Sequence, residues 1–95
     1  MPNHKSALKR MRQNEKRRLR NKSYKTRVKN IIKKVKFFVE KKDIENATKT
    51  LSEAVSLIQK VAGKGIIHKN NASRKISKLT RLVNNLRAEL ENKPI

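Results

Sequence analysis

The chain has 95 residues and a net charge of +20, with 27 Lys or Arg against 7 Asp or Glu. It is long enough for one small domain with a thin core. The sequence has no cysteine, which excludes disulfides, thiolate zinc sites and cysteine nucleophiles. Its longest purely apolar run, residues 37–39, is too short for a membrane span or a signal peptide. We therefore expect a small, soluble, intracellular and strongly cationic protein.

The positive charge is unevenly spread along the chain. Residues 1–30 carry twelve Lys or Arg and one acid, and residues 31–42 carry five and one. Residues 43–63 are nearly neutral, with two Lys against three acids, whereas residues 64–95 return to eight basic and two acidic residues. Like charges at this density repel one another, and a polyanion relieves that repulsion. Two separate basic stretches therefore indicate nucleic acid as the partner.

The first predicted helix lies within the sixty residues between Pro2 and Gly63, which include no Gly or Pro and so argue against a strand-and-turn protein. A helix from about Lys5 to Lys42 would be about 57 Å long. Its first half lacks an apolar stripe and is polar all round, so we expect residues 1–22 to be largely disordered until they bind nucleic acid. Its second half has apolar residues at helical spacings of three and four, namely Tyr24, Val28, Ile31, Ile32, Val35, Phe38 and Val39.

Two further helices follow, with short connections between them. Asp43 is placed to cap the second helix, and Gly63 and Gly65 are placed to close it. The stripe of the second helix consists of Ile44, Ala47, Leu51, Ala54, Val55, Ile58, Val61 and Ala62. The stripe of the third consists of Ala72, Ile76, Leu79, Val83, Leu86 and Leu90, with Pro94 beyond its end.

These elements predict an all-α protein, an up-down-up three-helix bundle with a long, basic, projecting first helix. We expect one domain over residues 1–95. Within it, residues 1–22 form a basic N-terminal helical extension, residues 23–90 the bundle and residues 91–95 a tail.

The N-terminal extension is rich in guanidinium groups, whose planar forks suit phosphate oxygens. A nonspecific tail or a transit peptide is the alternative. A transit peptide predicts Ser enrichment and a cleavage region before the fold, and neither occurs. The candidate phosphate-binding residues here are Lys9, Arg10, Arg12, Lys16, Arg17, Arg18 and Arg20.

The segment from Lys64 to Lys75 is the most specific motif. It joins a glycine-containing turn to a helix N-terminus, where free N–H groups and the helix dipole favour an anion. Asn70 and Asn71 are alternatively plain helix caps. The candidate RNA-binding residues here are Lys64, His68, Lys69, Asn70, Arg74, Lys75 and Lys78.

Two side chains stand out in the sequence, His68 and Phe37, and neither indicates catalysis. His68 has no nucleophile or orienting carboxylate in view, which makes it a poor catalyst. It is either a loop histidine or a group that donates to phosphate or stacks on a base.

Phe37 lies about half a turn from the stripe around Val35, so its side chain should face outward. It is either a lone surface aromatic, an aromatic covered by the C-terminal tail, or a ring that stacks on RNA.

The sequence resembles the bacterial small-subunit ribosomal protein S-twenty family over nearly its whole length. The shared features, in order, are the Asn3-His4-Lys5-Ser6-Ala7 opening, the basic stretch ending in Asn21, Lys33-Lys34-Val35, the Asp43 boundary, and the Lys64-Gly65-Ile66-Ile67-His68-Lys69-Asn70 turn with Ala72, Arg74, Ser77 and Leu79. The turn is specific, whereas the basic opening alone would not be. The sequence departs from the family pattern at Pro2, at Lys78 and in the tail from Arg87 to Ile95. Lysine at position 78 weakens the expectation of a bidentate phosphate contact there.

The resemblance implies a structural constituent of the small (30S) ribosomal subunit in the cytoplasm. It implies direct binding of 16S rRNA during assembly, at the 5′ domain and the long penultimate helix of that RNA. The partners would be 16S rRNA and other small-subunit components, with no cofactor, metal, membrane, small-molecule substrate or second copy of the chain. Carried over residue by residue, RNA contacts would fall on Asn3, Lys5, Ser6, Lys9, Arg10, Arg17, Arg18, Asn21, Lys64, His68, Lys69, Asn70, Arg74 and Lys78.

Three other functional classes fit the sequence less well than RNA binding. A histone-like protein that condenses DNA would explain the charge equally well, but not the specific turn. A membrane-active cationic protein would need a basic face opposite an exposed apolar one, whereas the second helix is nearly neutral and its stripe requires a partner helix. An enzyme is the least expected class, because no acid–base pair, metal set or nucleophile constellation occurs in the sequence.

Overall fold

The fold consists of three α-helices joined by two tight turns. A computed structural model describes residues 4–92, with α1 at His4–Glu40, α2 at Ile44–Gly63 and α3 at Lys69–Glu91. No strand occurs within this range. Each turn reverses the chain, and each helix packs against the other two. The predicted all-α, up-down-up three-helix bundle is therefore confirmed.

The core is built from the three predicted stripes. Its buried apolar members are Val28, Val35, Ala47, Ala54, Ile58, Val61, Ala72, Leu79, Val83 and Leu86. The pattern missed Thr50, which is only 4 % exposed because it lies on the same helical face as Ala47 and Ala54. It also missed Ile66 and Ile67 of the second turn, which are half-buried against the core.

The first turn holds a left-handed residue that is not glycine. Lys42 has φ 58°, and its N–H donates to the Val39 carbonyl at 3.1 Å, while the N–H of Asp43 donates to the Phe38 carbonyl at 3.0 Å. These two bonds form a Schellman motif, which satisfies the last carbonyls of α1. The Asp43 carboxylate then accepts the N–H of Asn46 at 3.2 Å. Asp43 thus closes one helix and caps the next, as predicted for its capping role.

The second turn repeats this geometry with glycine in the left-handed position. Gly65 has φ 76°; its N–H donates to the Ala62 carbonyl at 2.9 Å, and that of Ile66 donates to the Val61 carbonyl at 3.2 Å. Gly63 is the last residue of α2 and has no positive φ. Of the two predicted closing glycines, only Gly65 supplies the left-handed conformation.

The length of α1 sets the shape of the molecule. Its 37 residues extend about 56 Å, whereas the 20 residues of α2 extend about 30 Å. The radius of gyration is 18.9 Å, against about 12 Å for a compact chain of this length. Residues 5–20 are all exposed, so the first half of α1 projects beyond the bundle.

The N-terminal extension is helical from His4 onward, which differs from the expected disorder. Its residues favour helix locally, because it lacks Gly and Pro and is rich in Lys, Arg, Gln and Glu. Because residues 5–20 are all exposed, tertiary packing adds little to this preference. Disorder of residues 1–22 in the free protein stays a prediction. Residues 1–3 of this segment lie outside the described residues.

The end of α3 closes on the first turn. Leu90 packs partly buried against the core, Arg87 Nη2 donates to Thr48 Oγ1 at 3.1 Å, and Glu89 forms an ion pair with Lys42 at 3.1 Å. Residues 87–91, whose role the sequence left open, therefore contact the first turn and α2. Pro94 and the rest of the tail lie outside the described residues.

Phe37 faces outward as its position in the period predicts. It is 52 % exposed, packs edge-on against Phe38 with ring centroids 5.5 Å apart, and has Lys41 Nζ 5.7 Å from its ring.

Candidate nucleic-acid interface

The projecting half of α1 presents cations on nearly every side. All the candidate residues from Lys5 to Arg20 are exposed, and Asn3 lies outside the described residues. Glu15, the single acid of this half, forms a two-point ion pair with Arg18, at 2.7 Å and 3.2 Å. Hydrogen bonding and charge from Arg18 hold the pKa of the Glu15 carboxyl below its ordinary value. Arg18 therefore has one protein partner before it meets any ligand.

Asn21 stands apart from the other candidates of the extension. It is half-buried, and among the described residues its Oδ1 is the buried side-chain oxygen that has no hydrogen-bond donor. A buried acceptor without a donor is unfavourable. Asn21 marks the point where α1 leaves the bundle.

The N-terminus of α3 is capped by a histidine. Nδ1 of His68 accepts the N–H of Asn70 at 3.1 Å, and the His68 carbonyl accepts the N–H of Ala72 at 3.0 Å. The suggestion that Asn70 or Asn71 caps this helix is therefore wrong. When Nδ1 accepts this bond it carries no hydrogen, so the ring hydrogen lies on Nε2. The exposed imidazole can then donate one hydrogen bond outward.

Lys64, the residue that follows α2, lies over an aromatic ring of α1. Its Nζ lies 5.6 Å from the centroid of the Tyr24 ring, Lys60 Nζ lies at 5.9 Å and the Arg27 guanidinium at 5.5 Å. Such cation–π contacts fix charged groups over an aromatic face. The sequence pattern had placed Tyr24 only as a core residue, so it missed this cluster of three cations beside the turn.

A groove of about 960 Å³ runs between α1 and α3. Its apolar floor includes Ile32, Leu79 and Leu82, and no described residue lining it is acidic. The predicted residues Arg74, Lys75 and Lys78 line this groove, along α3, rather than only the helix N-terminus. Lys36 and Arg81 also line it and were missed, because they are distant from the turn in sequence.

A second, smaller cleft lies on α1 before the groove. It has a volume of about 490 Å³ and is lined by Arg18, Asn21, Lys22, Lys25, Thr26 and Lys29. Sequence reasoning ended the basic stretch at Asn21. The signal for the rest was available, because Lys22, Lys25 and Lys29 recur at helical spacing.

Within residues 4–92 there is no cluster of three or more His, Asp or Glu residues that could hold a metal ion. In the same range, none of the helices combines the length and the apolar character needed to cross a bilayer. The polar chemistry of the described surface is dominated by Lys and Arg.

Comparison with known proteins agrees with this surface chemistry. The family model described as Ribosomal protein S20 matches residues 2–84. The chain belongs to this family. Members of this family are structural, non-enzymatic components of the ribosome, which confirms the prediction that the chain is not an enzyme.

Several curated relatives of the S20 family support the assignment. A protein of Desulfatibacillum aliphaticivorans is 54% identical over 83 residues, which cover 87% of this chain and 94% of the relative. Proteins of Trichlorobacter lovleyi and Syntrophobacter fumaroxidans are 54% and 51% identical over 86 residues, which cover 90% of this chain and 99% and 100% of the relatives. All three are named "Small ribosomal subunit protein bS20". The family model ends at residue 84, whereas α3 continues to Glu91.

Proposed function

We propose that this chain is a structural constituent of the small (30S) ribosomal subunit in the cytoplasm. It binds 16S rRNA directly and helps to assemble and hold together the 5′ domain and the penultimate helix of that RNA. Other small-subunit components are its neighbours, and it acts as a single copy without cofactor, membrane or small-molecule substrate. Support comes from the names of its relatives and from its charge and shape.

The observation that carries the proposal is the cationic α1 projecting from a small bundle. RNA helices are recognised mostly by shape and through phosphate and 2′-OH groups. A rod about 56 Å long with exposed Lys and Arg on nearly every side can lie between two RNA segments and screen the repulsion between their phosphates. The bundle then contacts RNA with a second set of groups, at the turn that holds Lys64, His68 and Lys69.

Assembly follows from this geometry without any chemical step. A protein that binds two RNA segments simultaneously favours their closed arrangement over the separated one by the free energy of the second contact. If eight phosphates are neutralised, the affinity should fall with salt at a log–log slope of about −6 to −7.

The test is binding to 16S 5′-domain RNA against duplex DNA of matched length across a salt series. We expect much tighter binding to the RNA, persisting at raised salt. Equal affinities with equally steep slopes would instead favour the histone-like, DNA-condensing alternative, since charge alone would then drive binding.

A pair of charge-matched variants separates the turn from general charge. Lys64→Gln/Lys69→Gln removes two cations from the turn, and Lys34→Gln/Lys49→Gln removes two exposed cations elsewhere. We expect the turn variant to reduce the preference for RNA over DNA and the control to leave it unchanged. An equal effect of both variants would count against a specific role of the turn.

A further inference from the structure

The α1–α3 groove and the smaller cleft on α1 line up on one side of the molecule. Arg18, Lys22, Lys25 and Lys29 border the cleft, and Lys36 borders the groove. At 100° per residue these five positions fall within about 60° of the α1 circumference, and they extend about 27 Å along it. We call this row of side chains the α1 stripe.

The third helix adds its own cations along the same groove. Arg74, Lys75, Lys78 and Arg81 line it from α3, at spacings of one, three and three residues that keep them on one side of that helix. Ile32 lies one turn beyond Lys29 and lines the groove. The α1 stripe therefore leads directly into the groove, and the two form one continuous cationic surface.

The surface of α2 is nearly neutral. Residues 43–63 hold two Lys against three acids, and Glu45, Lys49 and Glu53 are all exposed. The segment of α2 is therefore much less cationic than α1 and α3, although the net charge of the chain is +20. A polyanion is attracted to the side of α1 and α3 and gains little at α2.

We infer that the α1 stripe and the α1–α3 groove together dock the phosphate backbone of an RNA strand, with α2 facing away from the RNA. This inference rests on the proposed function, and it adds Lys22, Lys25, Lys29, Lys36 and Arg81 to the RNA-binding surface.

A phosphate backbone fits this surface better than a single anion or an acidic peptide. Cations repeated over about 27 Å match a ligand with regularly repeated charge, and Arg74 and Arg81 offer forked guanidiniums that suit phosphate. Ser73, Ser77 and Asn85 line the same groove and add the neutral donors that commonly contact phosphate and sugar.

The absence of cysteine from the chain makes the orientation directly testable. Ser77 lines the groove and Ser56 lies on α2, and both are exposed. Ser77→Cys and Ser56→Cys therefore place matched thiols on the two sides without changing the charge. Each thiol is alkylated with a neutral maleimide, with and without saturating 16S 5′-domain RNA. We expect RNA to slow the reaction several-fold at position 77 and to leave position 56 unchanged.

The outcomes distinguish failure of this inference from failure of the proposed function. Loss of RNA preference in the binding assay would overturn the proposed function. RNA that binds tightly but protects neither thiol, or protects position 56 instead, would overturn the docking surface alone. Protection of position 77 by polyglutamate as strong as that by RNA would favour an acidic protein partner and would also overturn it.

Charge variants give an independent measurement. Lys36→Gln/Arg81→Gln should reduce the steepness of the log–log salt slope by about 1.4 to 1.8, since each phosphate contact contributes about 0.7 to 0.9. Lys34→Gln/Lys49→Gln removes the same charge outside the groove and should leave the slope nearly unchanged. Equal changes in both slopes would contradict a defined docking surface.

Discussion

Nδ1 of His68 accepts the backbone N–H of Asn70 at 3.1 Å, so the most distinctive side chain of the second turn is also a structural cap. The bond satisfies one of the free N–H groups at the start of α3. When Nδ1 accepts this bond, the ring hydrogen lies on Nε2. The imidazole thus caps α3 with Nδ1 and offers a hydrogen-bond donor at Nε2.

His68→Ala should lower the free energy of unfolding by about 1 kcal/mol, because alanine cannot cap the helix. His68→Asn should retain most of that stability, since asparagine is among the preferred capping residues. Urea unfolding followed by circular dichroism measures both values. Equal losses in the two variants would show that the cap is not what His68 contributes.

The same pair of variants separates folding from RNA contact. If Nε2–H donates to RNA, His68→Asn should weaken binding to 5′-domain RNA while its stability stays near that of the original chain. Unchanged affinity in this stable variant would confine His68 to its capping role.

Lys42→Gly should stabilise the protein by about 0.5 to 1 kcal/mol. A non-glycine residue in the left-handed region costs about 1–2 kcal/mol, and the greater freedom of glycine in the unfolded chain offsets part of the gain. Thermal unfolding compares it with Lys42→Ala, which loses the same ion pair to Glu89 but keeps the strain.

The control for this prediction is Glu89→Gln, which removes the ion pair alone. Both partners are more than half exposed, so its effect should be below about 1 kcal/mol. A Lys42→Gly variant no more stable than Lys42→Ala would show that the turn stores no strain at this residue.

Glu15 provides a pH-dependent reporter of the extension. Arg18 lowers the pKa of this carboxyl from its ordinary 4.5, so the pair favours helix above that value and is lost as pH falls through the lowered pKa. Arg18→Gln should raise the pKa of Glu15 toward 4.5. A carboxyl ¹³C titration measures this, and identical titration of the two proteins would mean that the pair does not form in solution.

Amides of residues 5–20 should exchange with solvent almost without protection in the free protein. These residues are all exposed, so their helix has little tertiary packing to oppose local opening. Amides around Val35, Ile58 and Leu79, which are almost completely buried, serve as the internal reference. Addition of 5′-domain RNA should protect the extension, and strong protection before RNA is added would contradict the prediction.

Much of the fold could be predicted because each helix has its own apolar period. The stripes around Val35, Ile58 and Leu79 recur at spacings of three and four, and all three residues are buried. Asp43 was also predictable as a cap, because the chemistry of an N-cap lies within a few residues of chain. Local periodicity and local hydrogen bonding were sufficient for these features.

Other features required the packed chain. The contact of Lys60 and Lys64 with Tyr24 joins residues far apart in sequence. Likewise, Lys36 and Arg81 share a groove only because α1 and α3 pack side by side. In the sequence these residues are separate charges, because no local pattern indicates which helix faces pack against each other.

The sequence by itself therefore determined three helices, one neutral and two basic segments, and the family to which the chain belongs. Only the tertiary structure decided that His68 caps α3, that Lys42 takes a left-handed conformation, and that the cations of α1 and α3 form one surface. The physical reason is that periodicity and capping depend on neighbours along the chain, whereas a shared surface depends on how the buried stripes orient the helices around one core.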